Sequence, residues 1–185
     1  MRVINVHIEP LEERYSAQWY VWLTTAFSKL NIQQEWIGAG RLRDHIQDGL
    51  VLDAYDTNYW KAGQLQELMK LLSQGKIGDD DIVFFHDLWF PGLEMLQYVR
   101  NMTGIRFKIY GLLHAGTWDK HDFTYKRGMR KWGAHVEAAW LEIADKVFVA
   151  YHFHKGLILN DLPWLSEKIH VRTAFSLKHE RSCGT

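Results

Sequence analysis

Cysteine is almost missing from this sequence. Cys183 stands alone among 185 residues, so no intrachain disulfide can form and no thiolate cage can hold a metal. Proline is scarce, with three residues, which leaves long stretches free to form regular structure. Net charge is absent too: 22 Lys and Arg balance 22 Asp and Glu. No overall field exists to hold a long polyanion, so coating of nucleic acid is disfavoured. The opening MRVINVHIEP has no basic-then-apolar leader, and no later apolar run approaches the roughly 20 residues of a membrane span. These absences lead us to expect a soluble, cytoplasmic protein. Three motifs are missing as well. No GxGxxG follows the first apolar run, no GxxxxGK[ST] occurs and no GxSxG occurs, so a Rossmann dinucleotide site, a P-loop and a nucleophile elbow are unsupported.

What the chain has in quantity is aromatic side chains. Nine Trp, nine Phe and eight Tyr supply large buried areas and rings that can wall a ligand cleft. With 47% hydrophobic and 24% charged residues, the composition is that of one ordinary globular core.

Periodicity gives the fold class. Residues 3–8 form a short apolar run that stops at Pro10, whose missing N–H cannot continue a ladder. Trp19, Leu23, Ala26 and Leu30 then fall on one helical stripe. Residues 34–37 fit a second strand, and residues 38–54 read poorly. Leu65, Leu68, Met69 and Leu72 mark a helix that Gly75 would cap. Residues 82–85 are apolar throughout, as in a strand buried on both faces. Pro91 suits a helix N1 position before Leu93, Leu96 and Val99, and Gly104 suits its stop. A strand at 107–113, a long loop to about Tyr125, a helix carrying Trp132, Val136, Trp140 and Ile143, and a strand at 147–150 follow. A short helix at 156–162 and a weak strand at 168–171 end the alternation. Repeated strand-helix units predict an α/β fold: a Rossmann-like parallel sheet with helices on both faces, in one three-layer domain over residues 1–171.

Ligands of open parallel sheets bind beyond the carboxyl ends of the strands. Glu9, His86 with Asp87, His114 with Gly116, and Tyr151 with His154 and Lys155 all stand at such ends. His86 and Asp87 fit an acid/base pair or a hydroxyl clamp; equally, Asp87 could cap the next helix and His86 could bond a carbonyl. Gly116 would let backbone approach a ligand, and Trp118 could stack on a sugar ring. His152 and His154 would share one side if their segment were extended, but no third ligand is evident and a metal is not expected. Lys120, Lys126, Arg127, Arg130 and Lys131, interleaved with Phe123, Tyr125 and Trp132, fit a phosphate-bearing acceptor or a nucleic-acid strand, and equally a solvated helix face.

The run Ala144-Asp145-Lys146-Val147, then Lys155, then Lys168-Ile169-His170-Val171, resembles the end of the amino-terminal domain in GT-B glycosyltransferases of the retaining group that includes glycogen and sucrose synthases. Asp81-Ile82-Val83-Phe84-Phe85-His86 looks like that group's "D-I-V-x-x-H" strand, and Leu113-His114-Ala115 like its "x-H-x" segment. The resemblance implies transfer of a hexose from a nucleotide sugar, the donor substrate, to an acceptor hydroxyl, with no other cofactor. It implies that His114 faces the transferred sugar and that His86 and Asp87 bind hydroxyls. The grip on the nucleotide lies mainly in a second domain of that family, and no segment here matches its E-x(7)-E carboxylates. Glu9-Pro10-Leu11-Glu12 stands where the family has a Gly-rich loop. Residues 172–185 read as an unrelated polar tail. The expectation is an acceptor-binding half that needs a separate donor-binding chain or forms a homodimer; the alternatives are a non-catalytic sugar- or nucleotide-binding module and a partner in nucleic-acid modification that uses the basic stretch at 120–131.

Overall fold

The computed structural model describes residues 1–9, 16–42 and 53–172. Six parallel strands run β1 (Arg2–Val6), β2 (Gln33–Ile37), β3 (Ile82–Phe85), β4 (Lys108–Leu113), β5 (Lys146–Val149) and β6 (Ile169–Val171). Between them come α1 (Ser16–Lys29), α2 (Asp56–Ser73), α3 (Leu93–Thr103), the short α4 (Phe123–Lys126), α5 (Arg130–Ile143) and α6 (His152–Asp161). This is the α/β class that the alternation predicts, in a single domain. The spatial order is β2-β1-β3-β4-β5-β6. The chain therefore builds leftward from β1 once and then rightward, and the reversal falls between β1 and β3.

Right-handed crossovers place α1 on one face of the sheet and α2, α3, α5 and α6 on the other. The second face carries the main core. Register aligns Ile37, Val6, Phe85, Gly111, Val147 and Ile169 across it. Those strands pack against Leu68 and Leu71 of α2, Leu93 and Leu96 of α3, Leu141 of α5 and Ile158 of α6. Gly111 keeps this layer flat because Leu88 lies over it: a Cβ there would stand 2.3 Å from Leu88 Cδ1. The α1 face carries Trp36, Asn5, Phe84 and Tyr110 in one register row, then Phe148 and His170. Phe148 meets Phe84, Tyr110 and His170 ring to ring.

Local signals explain most boundaries. Gly104 adopts φ 77° as the C-cap of α3, and Gly75 adopts φ 66° just past α2, where a left-handed residue ends a helix without a Cβ clash. Pro91 is not at N1 as its position predicts, because Gly92 at φ 98° is the N-cap and α3 begins one residue later. The helix predicted at 156–162 begins earlier, at His152. His152 and His154 therefore sit in a helical turn, and the extended pairing considered for them does not exist. Arg2 bridges Glu35 and Asp81, and Arg100 pairs with Asp145, at the amino end of the sheet. The predicted tail, apart from Arg172, and most of the ambiguous stretch before Ala54 lie outside the described residues.

Candidate functional site

At the carboxyl end of the sheet, side chains from β1, β3 and β4 meet on the α1 face. Asn5 is a polar residue inside an apolar strand and is fully buried. Its carboxamide oxygen lies 3.1 Å from His86 Nε2, and its own Nδ2 donates to the Glu35 carbonyl at 3.4 Å. That orientation requires His86 to carry its proton on Nε2. The His86 N–H donates to Val6 at 2.9 Å, extending the β1–β3 ladder by one rung. His114 Nε2 lies 2.7 Å from the His86 carbonyl and, facing an acceptor, donates to it.

Tryptophans wall the pair. Trp19 of α1 stands 5.2 Å from the His114 ring and 5.8 Å from His86, and Trp36 of β2 meets His86 edge-on at 5.3 Å. His7, one residue past β1, packs between Trp36 and Trp60. Burial among these rings, helped by His7 and His114, depresses the His86 pKa to about 3. Burial also lowers His7, against the raising effects of the Ile8 carbonyl and Glu9. His154 in α6 is lowered for the same first reason, although Asp119 and Asp122 pull it upward. His7, His86 and His154 are thus neutral near pH 7. They offer directional donors and acceptors without charge, which suits hydroxyls and ring edges better than phosphates.

Helix α2 supports the strand ends from the opposite face. Gln64 Nε2 donates to the carbonyls of His7 at 2.9 Å and Ile37 at 2.7 Å, and Trp60 Nε1 also reaches His7. Lys61 pairs with Asp87 at 2.9 Å and donates to the Trp89 carbonyl.

The predicted site residues separate accordingly. His86 and His114 come together, with Glu9 buried beyond the end of β1. Asp87 holds Lys61 and accepts from the Trp89 N–H at 3.1 Å, a turn-forming contact within its own loop. Gly116 packs on the carboxylate of Glu137. Trp118 donates to Asp161 at 2.8 Å, and Arg130 lies over its ring at 5.2 Å while pairing with the same carboxylate. Lys155 bonds the Ser166 and Ile169 carbonyls, and Tyr151 is exposed at the start of α6. Sequence reasoning missed Asn5, His7, Trp19, Trp36, Lys61 and Glu137. Only Asn5 carried a local signal, as a polar residue where the run wants an aliphatic one. Among the described residues no three His, Cys, Asp or Glu side chains are arranged to hold a metal ion, and no helix is long and apolar enough to cross a membrane.

The geometry defines an open α/β domain in which histidines at the strand ends beside the topological switch point pack among tryptophans. No protein-family model matches the chain, and no curated protein matches it.

Proposed function

We propose that this chain is the sugar-handling half of a GT-B-like glycosyltransferase, binding an acceptor and the hexose of a nucleotide sugar at the carboxyl ends of β1, β3 and β4. One observation carries the reading: two imidazoles held by hydrogen bonds, His86 and His114, stand beside the switch point against Trp19 and Trp36. Indole faces stack on the apolar face of a pyranose, and imidazole nitrogens bond its equatorial hydroxyls. His114 orients the transferred sugar, and His86 keeps the ring and backbone of this corner in place. A cationic second domain, on a separate chain or elsewhere in the assembly, stabilises the departing diphosphate. The neutral imidazoles of His7 and His86 support this division of labour, since an uncharged ring favours hydroxyls over phosphate. A cytoplasmic location, where nucleotide sugars are made, belongs to the same reading.

A second reading is a binding module without transfer, favoured by Asp87, which is engaged by Lys61 and so poorly placed as a general base. Nucleoside diphosphate release during incubation with uridine and guanosine diphosphate hexoses, together with ligand-observed NMR of the same mixtures, separates the readings. The half-enzyme binds a hexose, is silent alone and releases diphosphate when a donor-binding domain is supplied; His114→Gln weakens its binding at least tenfold. Saturable binding with no release under any pairing supports the module. If neither nucleotide sugars nor free hexoses bind at millimolar concentration, both readings fail.

A further inference from the structure

Glu137 lies at the hub of the two loops that leave β3 and β4, and it is 1% exposed. Its Oε2 accepts from Trp89 Nε1 at 2.6 Å, from the Thr117 N–H at 2.9 Å and from Thr117 Oγ1 at 3.2 Å. Trp89 belongs to the loop that begins with His86, and Thr117 to the loop that begins with His114. Its Oε1 is buried without a hydrogen-bond partner. That oxygen rests against Gly116, where a Cβ would stand only 2.3 Å away.

The asymmetry has a chemical meaning. An ionised carboxylate shares its charge between both oxygens, and each needs donors when buried. A neutral acid does not: its carbonyl oxygen accepts, while its hydroxyl can sit against carbon at smaller cost. Three donors converge on Oε2 and none on Oε1, so the closed loops fit an acid protonated on Oε1. We propose that Glu137 is a proton-operated positioning residue, which as the neutral acid joins the His86 and His114 loops and on ionisation releases the turn at Gly116 and Thr117. Burial opposes ionisation most, the hydrogen bonds from Thr117 and Trp89 favour it, and the negative charge of Asp122 adds to the opposition. Burial outweighs those bonds and raises the pKa to about 7, so the transition falls in the physiological range. The device does not depend on which ligand binds at the strand ends.

Amide hydrogen exchange at Thr117, compared between the full chain and Glu137→Gln, tests this. Gln supplies the same accepting oxygen without a titrating proton and holds the loops closed at every pH. The wild-type to variant ratio of exchange rates should rise about 30-fold from pH 5.5 to 8.5, the increase in opening expected when a group shifts between about 7 closed and its ordinary 4.5 open. A ratio that stays constant with pH overturns the proposal. Should the variant fail to fold, the wild-type protection of the Thr117 amide, corrected for the intrinsic pH dependence of exchange, decides instead. A fall of about 30-fold from pH 5.5 to 8.5 supports the device, and protection flat across that range refutes it.

Discussion

Replacing His86 by Gln should change how stability responds to acid. In the native fold His86 is neutral down to about pH 3, whereas in the unfolded chain it takes up a proton near its ordinary 6.5. Between those values the unfolded state binds one proton more, so stability rises with pH and is lost as pH falls below 6.5. From pH 8 to pH 5 the loss from this one group is about 2 kcal/mol. The wild-type curve alone cannot display it, because Glu137 acts in the opposite sense. Its native pKa is raised, so the stability it contributes is fully present below about 4.5 and fades as pH rises through about 7. His7 and His154 act in the same sense as His86 but are common to both chains. The measurement is therefore a difference: urea unfolding of the wild type and of His86→Gln at pH 8 and pH 5. Gln can donate to Asn5 Oδ1 as His86 does, so the variant loses the titration while retaining the bond. The stability advantage of the wild type should shrink by about 2 kcal/mol on acidification. An advantage that is the same at both pH values, to within about 0.5 kcal/mol, would refute the claim that His86 is held neutral by burial.

Two further outcomes follow from packing and pairing. Gly111→Ala drives a methyl group to within 2.3 Å of Leu88 Cδ1 and 3.3 Å of Leu88 Cβ, and should cost about 1–3 kcal/mol in urea unfolding; a neutral or stabilising result would show that the loop after β3 yields freely. The Lys61–Asp87 pair is mostly buried, with side-chain exposures of 11% and 22%. A double-mutant cycle with Lys61→Met and Asp87→Asn should give a coupling above the roughly 0.2–1 kcal/mol of exposed pairs, and it should survive 0.5 M salt. Coupling abolished by salt would mean that the pair is solvated.

Much of the fold was legible because its signals are local. Apolar runs such as Ile82–Phe85 mark strands that are covered on both sides, and Gly104 marks a helix end where only a left-handed residue fits. His86 and His114 were legible as candidates because strand ends are where polar groups collect in this class of fold. Their separation from Asp87, Trp118 and Lys155 was not. Whether a side chain at a strand end faces a cleft or ties down its own loop depends on partners far along the chain: Lys61 lies 26 residues from Asp87, and Asp161 lies 43 from Trp118.

Strand-helix alternation, the parallel sheet and the polar strand ends are encoded locally, since period, glycine placement and side-chain polarity act over a few residues. The remaining features arise from contacts between distant segments. Strand order set the switch point between β1 and β3, and register aligned Asn5 with the strand that ends in His86. Burial then fixed which groups are charged, holding His86 neutral and raising Glu137, because the dielectric around a side chain is made by residues that sequence neighbours cannot supply.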